Sequence, residues 1–358
     1  MKPMRSLTLR VRAVRSSLSL GERARPTEGR AAGEAAILAF FLFISPAASF
    51  ADTSGAAFLR LGDGARPLAL GGAYTAMPGD VDSLYHNPGA MPWLENPELS
   101  FSHSEWLSNS SLDLLSYAHP TALGTFGVSA LRLGNGTLEG RDANRQQTGD
   151  FTAEDIACLL SYSHRVGAFI GVGANAKYLR SRIDQESASS IAVDAGATGH
   201  VPGQPLWFGV SVLNVGSGLR FEDQVDRLPL AIAIGSVYQI RRPFILAVDF
   251  FHEPYDAVSE LRFGGEYAVY LFDFLVGYVQ PLQGRHDADL SAGDRVRGGF
   301  GLHWSRYRAD YTLAPFGDLG LTQRFTLSVA FGDIDARQPK NLQRLQGAGT
   351  DSPQRNAL

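Results

Sequence analysis

Apolar residues alternate with small or polar residues in many segments of this chain from residue 98 onward. In one such segment Ile170, Val172 and Tyr178 fall on one face, whereas Gly171 and Lys177 fall on the other. Successive side chains of a β-strand point to opposite faces, so a period of two predicts strands with one apolar face. The chain is therefore predicted to be all-β.

Fourteen segments of this kind follow one another, and the lengths of their connections alternate between tight turns and longer polar loops. An even number of antiparallel strands with short turns at one end and long loops at the other is the pattern of a bacterial outer-membrane barrel. A closed barrel also pairs every backbone N–H and C=O internally, as a lipid environment requires. The segments begin near residues 98, 111, 124, 154, 167, 188, 206, 228, 243, 260, 272, 295, 306 and 322.

A soluble sandwich or propeller is the rival interpretation, because it also uses short alternating strands. Two features favour the transmembrane barrel. The apolar faces carry many large side chains, and aromatic residues gather near segment ends, where a membrane barrel has its interfacial girdles. These aromatic residues are Tyr117, Tyr162, Tyr178, Tyr238, Tyr270, Trp304 and Tyr307.

The third segment departs from the pattern, because Leu131 and Leu133 share the face of Gly127 and Ser129. Two explanations are open: a β-bulge, or a wall that packs on material inside the barrel. Residues 307–313, by contrast, divide cleanly into an apolar face and a polar face.

Residues 1–51 have the order of a secretory signal peptide: a basic region, an apolar run over residues 35–44, and small residues before a predicted cleavage after Ala51. This segment holds eight of the 32 basic and three of the 36 acidic residues, which leaves 24 and 33 and a net charge near −9. An acidic exported protein is a poor candidate for nucleic-acid binding. The single cysteine, Cys158, excludes an internal disulfide framework.

Residues 52–97 are rich in glycine and contain short apolar stretches, which predicts brief helical or looped pieces in close backbone contact. A segment of this length ahead of a barrel can fold into the lumen as a hatch or plug. Asn87, Pro88 and Gly89 then turn the chain out of the hatch and into the first strand. The predicted organisation is a hatch over 52–97, a barrel over 98–332 and a disordered polar tail over 333–358.

Two stretches resemble the PorV/PorQ family of outer-membrane proteins. The first covers residues 58–76 and 80–91, where Gly89 and Ala90 replace the usual Ala-Gly after Asn-Pro. The second covers residues 212–235 and includes Asn214 and Pro229. The family is related to FadL-like long-chain fatty-acid transporters, so the resemblance implies a fourteen-stranded barrel with an N-terminal hatch.

The resemblance also implies a non-enzymatic protein that handles cargo at or across the outer membrane, as family members serving type IX protein secretion do. The alternative is a FadL-like conduit for hydrophobic small molecules such as long-chain fatty acids. Leu219, Phe221 and Phe316, near the long loops, either receive such a ligand or simply pack the loops. The expected partners are outer-membrane lipid and either exported proteins or hydrophobic ligands, because fold alone does not fix function.

Charged residues on the polar strand faces are predicted to point into the lumen. One interpretation is that they contact the hatch or the cargo. The favoured one is that they are paired charges filling a polar interior, since an isolated buried charge is costly. The residues are Lys177, Asp194, Asp249, Arg262, Glu266, Arg297, Arg308, Asp310 and Arg324.

The sequence contains no motif for a cofactor or a resident metal. Asp287, Asp289 and Ser291 imitate the start of a calcium loop. Ala292 and Gly298, however, stand where that motif needs glycine and glutamate, so an acidic surface loop is predicted.

A lipid-modifying enzyme is a third and disfavoured hypothesis. It rests on His303 and Ser305, which share one face of a predicted strand. Nucleophilic catalysis also needs a group that orients the base and an oxyanion site, and the sequence identifies neither.

Overall fold

The computed structural model describes residues 54–105, 110–142, 144–222, 224–239, 243–283, 292–315 and 320–332. These ranges belong to one compact unit, residues 49–358. The predicted signal peptide and tail, Phe316, Asp287, Asp289 and Ser291 lie outside the described residues.

Fourteen antiparallel strands close into a barrel, so the predicted fold class is confirmed. The first and last strands pair with each other, and β8 and β9 form a separate hairpin between β7 and β10. Closure leaves the sheet without a free edge. The strands are β1 (Glu98–Glu105), β2 (Ser111–Thr121), β3 (Gly124–Arg141), β4 (Gln147–Val166), β5 (Ile170–Ile183), β6 (Glu186–His200), β7 (Leu206–Gly216), β8 (Leu219–Phe221), β9 (Gln224–Asp226), β10 (Ala231–Gln239), β11 (Phe244–Glu253), β12 (Val258–Val269), β13 (Phe272–Gln283), β14 (Val296–Trp304), β15 (Tyr307–Pro315) and β16 (Leu321–Ala330).

The fourth strand begins at Gln147 instead of near residue 154, so the long polar loop predicted before it is wrong. Strands β3 and β4 continue past the ends of β2 and β5 as a two-stranded arm, in which Leu138 pairs with Phe151. Apart from this pair, both faces of the arm carry polar residues or glycine, so the alternation that reveals a half-buried strand is missing from its sequence. Strands β8 and β9 likewise lie in a segment that was predicted to be a loop.

The outward face of the barrel is apolar and exposed. Leu160 is 62% exposed and Phe274 is 56% exposed, and Cys158 lies exposed on the same face of β4. A soluble sandwich would bury such residues between its sheets. Near the short turns, Tyr270 and Trp304 are also strongly exposed, as an interfacial aromatic girdle requires.

The N-terminal segment, residues 54–97, consists of short helical pieces joined by turns. It touches β13 to β16 on one wall and β4 to β6 on the opposite wall, so it lies in the lumen. Within the described part of the chain, no helix combines the length and apolar character needed to cross a membrane. The pieces are η1 (Ala57–Leu61), α1 (Ala65–Ala69), α2 (Ser83–His86) and η2 (Pro88–Trp93), and a further piece, η3 (Ala292–Arg295), precedes β14.

This segment runs from the long-loop end of the barrel to the short-turn end. Near its start the Gly55 N–H donates to the Arg227 carbonyl at 2.8 Å, beside the long connection between β7 and β10. Near its end the Arg165 Nε donates to the Pro92 carbonyl at 2.7 Å, beside the turn between β4 and β5. The segment therefore traverses the lumen before the chain enters β1.

An apolar sector of the inner wall surrounds η1. Phe58 and Leu59 are buried against inward leucines of β2 to β5, including Leu131. The irregular pattern of the third segment thus arises because part of the wall packs on material inside the barrel, with a register shift after Gly134 as well. Leu219 belongs to the same cluster and is 2% exposed, so it packs the loop onto η1.

Placing a charge on the outward face tests whether that face meets lipid. Leu160→Arg should lower the free energy of unfolding in lipid vesicles by about 2–4 kcal/mol, the cost of arginine at the bilayer midplane. Thr152→Arg is the matched control, because Thr152 lies on the same face of β4 but in the polar arm. Equal effects of the two substitutions in a urea titration would contradict a lipid-facing band.

Candidate functional site in the barrel lumen

Asn87 anchors the N-terminal segment to the wall and is fully buried. Its Nδ2 donates to the Thr75 carbonyl at 2.6 Å, and to the Ala197 carbonyl and Thr198 Oγ1 at 3.1 Å. Its Oδ1 accepts from the Gly89 N–H at 2.9 Å. Every donor and acceptor of the side chain is used, so the Asn-Pro-Gly turn also joins three parts of the chain.

Asn214, from the second family-like stretch, organises a buried ion pair. Lys177 Nζ lies 2.8 Å from Asp194 Oδ2, with both side chains almost completely buried, and it donates to Asn214 Oδ1 at 2.7 Å. Asp194 accepts from the Asn214 N–H at 2.8 Å, where Asn214 has a φ of 62° and the β6–β7 register shifts. Asn175 Nδ2 donates to Asp194 and to the Leu84 carbonyl, both at 2.8 Å, which ties this network to the N-terminal segment.

Asp249 of β11 binds the segment through its backbone. One carboxylate oxygen accepts from the N–H groups of Tyr74 and Thr75, at 2.9 and 2.8 Å. Asp249 is 1% exposed, and its other oxygen has no hydrogen-bond partner among the described residues. A carboxylate that accepts two backbone N–H bonds fixes the position of the turn.

Arg66 of α1 forms the central buried network. Its guanidinium donates to Glu266 of β12 at 2.9 Å, to Asp80 at 2.6 Å and to the Tyr74 hydroxyl at 2.8 Å. The Tyr74 hydroxyl in turn donates to Asp80 at 2.7 Å. Arg66 thus links α1, the following turn and the wall, and removing one partner of such a buried pair is costly.

A second charged cluster lies at the short-turn end. His303 Nε2 is 2.6 Å from Asp273 Oδ2, and Arg308 binds Asp310 at 2.7 Å. Ser305 is exposed in the turn after β14 with a φ of 58°, and no hydrogen bond joins it to His303 within the described ranges. The pair on which the enzyme hypothesis rests is therefore not assembled.

Three inward arginines line the wall between β12 and β16. Arg262 lies 2.9 Å from Glu260 and only 3.6 Å from the centre of the Phe251 ring. Arg324 is 2% exposed and donates to the Leu61 and Asp63 carbonyls. Arg297 makes no hydrogen bond through its buried Nε to any described residue.

Two acidic residues of the segment have pKa values shifted in opposite directions. Burial would raise the pKa of Asp63, but His86 at 3.1 Å and the nearby Arg324 and Arg262 lower it to about 2. For Asp82, burial and then the neighbouring Asp80 carboxylate raise the pKa well above its ordinary value. Asp63 is therefore ionised at neutral pH, whereas the surroundings of Asp82 disfavour its ionised form.

Inward-facing glycines line the wall where the segment touches it. Gly264 and Gly277 pair across β12 and β13 and contact Leu70 and Gly71. A Cβ at Gly277 would overlap the backbone of Leu70 and Gly71. Gly265 faces outward instead, and its Cβ would meet other atoms only at 3.5 Å and beyond. The same close approach to the segment occurs at Gly127, Gly171, Gly173, Gly196, Gly209 and Gly299.

The structure places all nine sequence-predicted lumen residues on inward strand faces and groups them by sector. It also shows polar contacts made by charged residues of the N-terminal segment that the strand pattern did not predict. Their signal in the sequence was their position among glycines and short apolar stretches. These residues are Arg60, Asp63, Arg66, Asp80 and Asp82. No cluster of three or more possible metal ligands occurs among the described residues.

A model of the uncharacterised protein family UPF0164 matches residues 51–227, which hold the N-terminal segment and the strands through β9. No curated protein matches the chain in sequence. The PorV/PorQ resemblance stays a prediction.

Solved structures with a similar fold include two toluene transporters and a FadL homologue. TodX of Pseudomonas putida gives a TM-score of 0.55 at 10% identity, over 79% of this chain and 98% of that chain. TbuX of Ralstonia pickettii gives a TM-score of 0.54 at 12% identity, over 75% of this chain and 97% of that chain. The FadL homologue of Pseudomonas aeruginosa gives a TM-score of 0.51 at 13% identity, over 79% of this chain and 99% of that chain. This chain has a FadL-like barrel fold.

The glycine-lined wall of this FadL-like barrel predicts that an added side chain displaces the segment. Gly277→Val should destabilise the protein by about 1–3 kcal/mol, the usual cost of overpacking. Gly265→Val is the control, since Gly265 pairs with Val276 on the outward face and has room for a Cβ. Thermal unfolding in detergent and limited proteolysis of the N-terminal segment should separate the two variants, and equal behaviour would count against the close packing.

The opposite pKa shifts predict opposite pH-dependent effects of two isosteric substitutions. Because the folded pKa of Asp82 lies above its unfolded value near 3.8, ionisation costs stability as pH rises above about 4. Asp82→Asn should therefore raise the melting temperature at neutral pH and leave it unchanged at about pH 4. Asp63→Asn should lower it at neutral pH, because the stability contributed by the ionised form is lost only as pH falls from 3.8 towards 2. Shifts of the same sign in both variants would refute the assignment.

Proposed function

We propose that this FadL-like barrel is a non-enzymatic conduit for hydrophobic small molecules, such as long-chain fatty acids, in the bacterial outer membrane. The observation that carries the proposal is the N-terminal segment, which traverses the lumen from the long-loop end to the short-turn end. This segment would act as the hatch of the conduit. The similar solved structures are toluene transporters and a FadL homologue, which supports this class of ligand.

The long-loop end of the hatch is held by a partly exposed ionic clasp. Arg60 lies 3.0 Å from Glu253 and 2.6 Å from Asp256, and Ser54 Oγ donates to Asp256 at 2.6 Å. The Arg60 side chain is 36% exposed, whereas that of Arg66 further along is 10% exposed. The Glu253 and Asp256 side chains are largely buried, but the Arg60 guanidinium meets water, which weakens an ion pair. We therefore expect this end to open more easily than the buried centre. Long loops face the cell exterior, which makes the clasp the outer gate.

The apolar sector behind the clasp suits a hydrophobic ligand. Phe58 and Leu59 fill a wall region lined by Leu112, Leu114 and Leu179. If the clasp opens and η1 moves, this region becomes an apolar surface to which a hydrophobic molecule can bind in place of η1. Such a site is concave and mostly apolar, as small-molecule sites usually are.

The proposal predicts that locking or loosening the clasp changes transport. In proteoliposomes, the protein should speed the entry of a fluorescent hydrophobic probe such as N-phenylnaphthylamine. A disulfide between Ser54→Cys and Asp256→Cys, built in a Cys158→Ala background, should slow entry until reductant is added. Arg60→Ala should speed entry, and about 1 kcal/mol of lost clasp energy corresponds to about fivefold more open state.

Two outcomes would contradict this proposal. One is probe entry no faster than in protein-free vesicles. The other is an unchanged rate in the oxidised double-cysteine variant. The protein-secretion role implied by the PorV/PorQ resemblance predicts a different partner, and co-purification of exported proteins in place of probe entry would favour it.

A further inference from the structure

The three inward arginines described above form an arc at one level of the lumen. They lie on alternate strands, β12, β14 and β16. Through the intervening ladder, Arg262 pairs with Val279 and Arg297 pairs with Gly277, two residues away on β13. Arg297 lies within electrostatic range of both Arg262 and Arg324. Three positive charges therefore face the same part of the lumen.

The members of this arc differ in how far their charges are compensated. Arg262 has a carboxylate partner, Glu260, and an aromatic partner, Phe251. Arg324 is bound by two backbone carbonyls. Arg297 has a buried Nε without a hydrogen-bond partner and no ion-pair partner among the described residues. Arg297 is therefore the arginine of the arc whose hydrogen-bond donors are least satisfied.

The acidic residues near the arc are distributed unevenly among its three arginines. Asp63 and Glu260 are the carboxylates in range of Arg297 in the part of the chain described, and Asp63 is also engaged by His86 at 3.1 Å. Further carboxylates lie within electrostatic range of the other two arginines, namely Asp249 and Glu253 for Arg262 and Asp82 for Arg324. What distinguishes Arg297 is its buried Nε, which has no hydrogen-bond partner among the described residues. Because a buried donor without a partner is costly, an anion that accepts from Arg297 would be stabilised by charge-assisted hydrogen bonds.

We propose that Arg297, together with Arg262 and Arg324, binds an oxyanion, either a carboxylate or a phosphate. The arginine fork matches the geometry of both groups. The site is open to the lumen, since the Arg262 side chain is 19% exposed and Arg297 is only half-buried. The neighbouring Phe251 ring supplies an apolar surface beside the charges. The anion is either the headgroup of an amphipathic permeant or free phosphate, and only the first of these sources rests on the proposed function.

The test uses the full chain in a non-ionic detergent and three probes: inorganic phosphate, decanoate and decanol. Decanoate and decanol share an alkyl chain, so they differ mainly in charge. Binding is measured by isothermal titration and by the shift of the melting temperature. Arg297→Gln should weaken decanoate binding about tenfold or more, the usual effect of losing a charge-assisted hydrogen bond, and leave decanol binding unchanged. Arg297→Lys should restore part of the loss.

Arg182→Gln is the matched control, because Arg182 is an exposed arginine outside the arc, at the outer end of β5. The melting temperature of ligand-free Arg297→Gln is measured as well, so that a loss of binding is distinguished from a loss of fold. Competition between phosphate and decanoate supports a shared oxyanion site. Decanoate binding without phosphate binding supports the site and assigns the anion to an amphipathic permeant, and phosphate binding alone assigns it to the free ion.

The inference is overturned if neither anion binds, or if Arg297→Gln binds both as tightly as the parent protein. The conduit proposal has a separate outcome. If decanoate and decanol bind equally to the parent and to Arg297→Gln, the conduit stands and the anion site fails. If phosphate binds through Arg297 but neither alkyl probe binds, the anion site stands and the conduit loses its support.

Discussion

Backbone contact between the N-terminal segment and the inner wall of the barrel is the constraint on which the rest of the structure depends. A fourteen-stranded barrel encloses more space than its own inward side chains can fill. Here the space is occupied by the N-terminal segment, and its backbone approaches the wall closely at several positions where the wall carries glycine. Gly264 and Gly277 admit the backbone around Leu70, and Gly209 admits the backbone of Thr75. The small inward residues therefore belong to the packing of the segment as much as to the strands.

Polar groups of the segment must then be satisfied inside the barrel, and the wall supplies the partners. Asp249 accepts the Tyr74 and Thr75 N–H groups, and Thr312 Oγ1 donates to the Ala65 carbonyl at 2.6 Å. Arg66 is compensated by Glu266 of the wall. Each of these bonds joins residues far apart in sequence, so the segment and the barrel specify each other's positions. A half-satisfied network of this kind would be less favourable than an apolar filling.

The sequence predicted the barrel well because lipid and lumen impose opposite demands on alternate residues. Where one of those demands is absent, the prediction failed: both faces of the β3–β4 arm meet water, and Gln147 was placed in a loop. Asn87 was recognised as a turn residue, but its bonds to Ala197 and Thr198 depend on a pairing across more than one hundred residues. Charge pairing such as Lys177 with Asp194 is equally non-local, because it depends on the register of β5 and β6. The sequence pattern thus identifies which face of a strand a residue occupies, whereas the contact partners of that residue depend on the strand pairing in the closed barrel.

The distribution of contacts makes the two sides of the lumen unequal. On the β5 to β7 side, Asn87, Asn214 and a fully buried ion pair hold the segment through completed hydrogen bonds. On the β12 to β16 side, the buried Nε of Arg297 has no hydrogen-bond partner among the described residues. That side still holds the segment strongly, because Arg66 binds Glu266 and Arg324 donates to the Leu61 and Asp63 carbonyls. The segment is therefore fixed on both walls, and the two sides differ in whether every buried charged donor of the wall is used, not in whether they bind the segment.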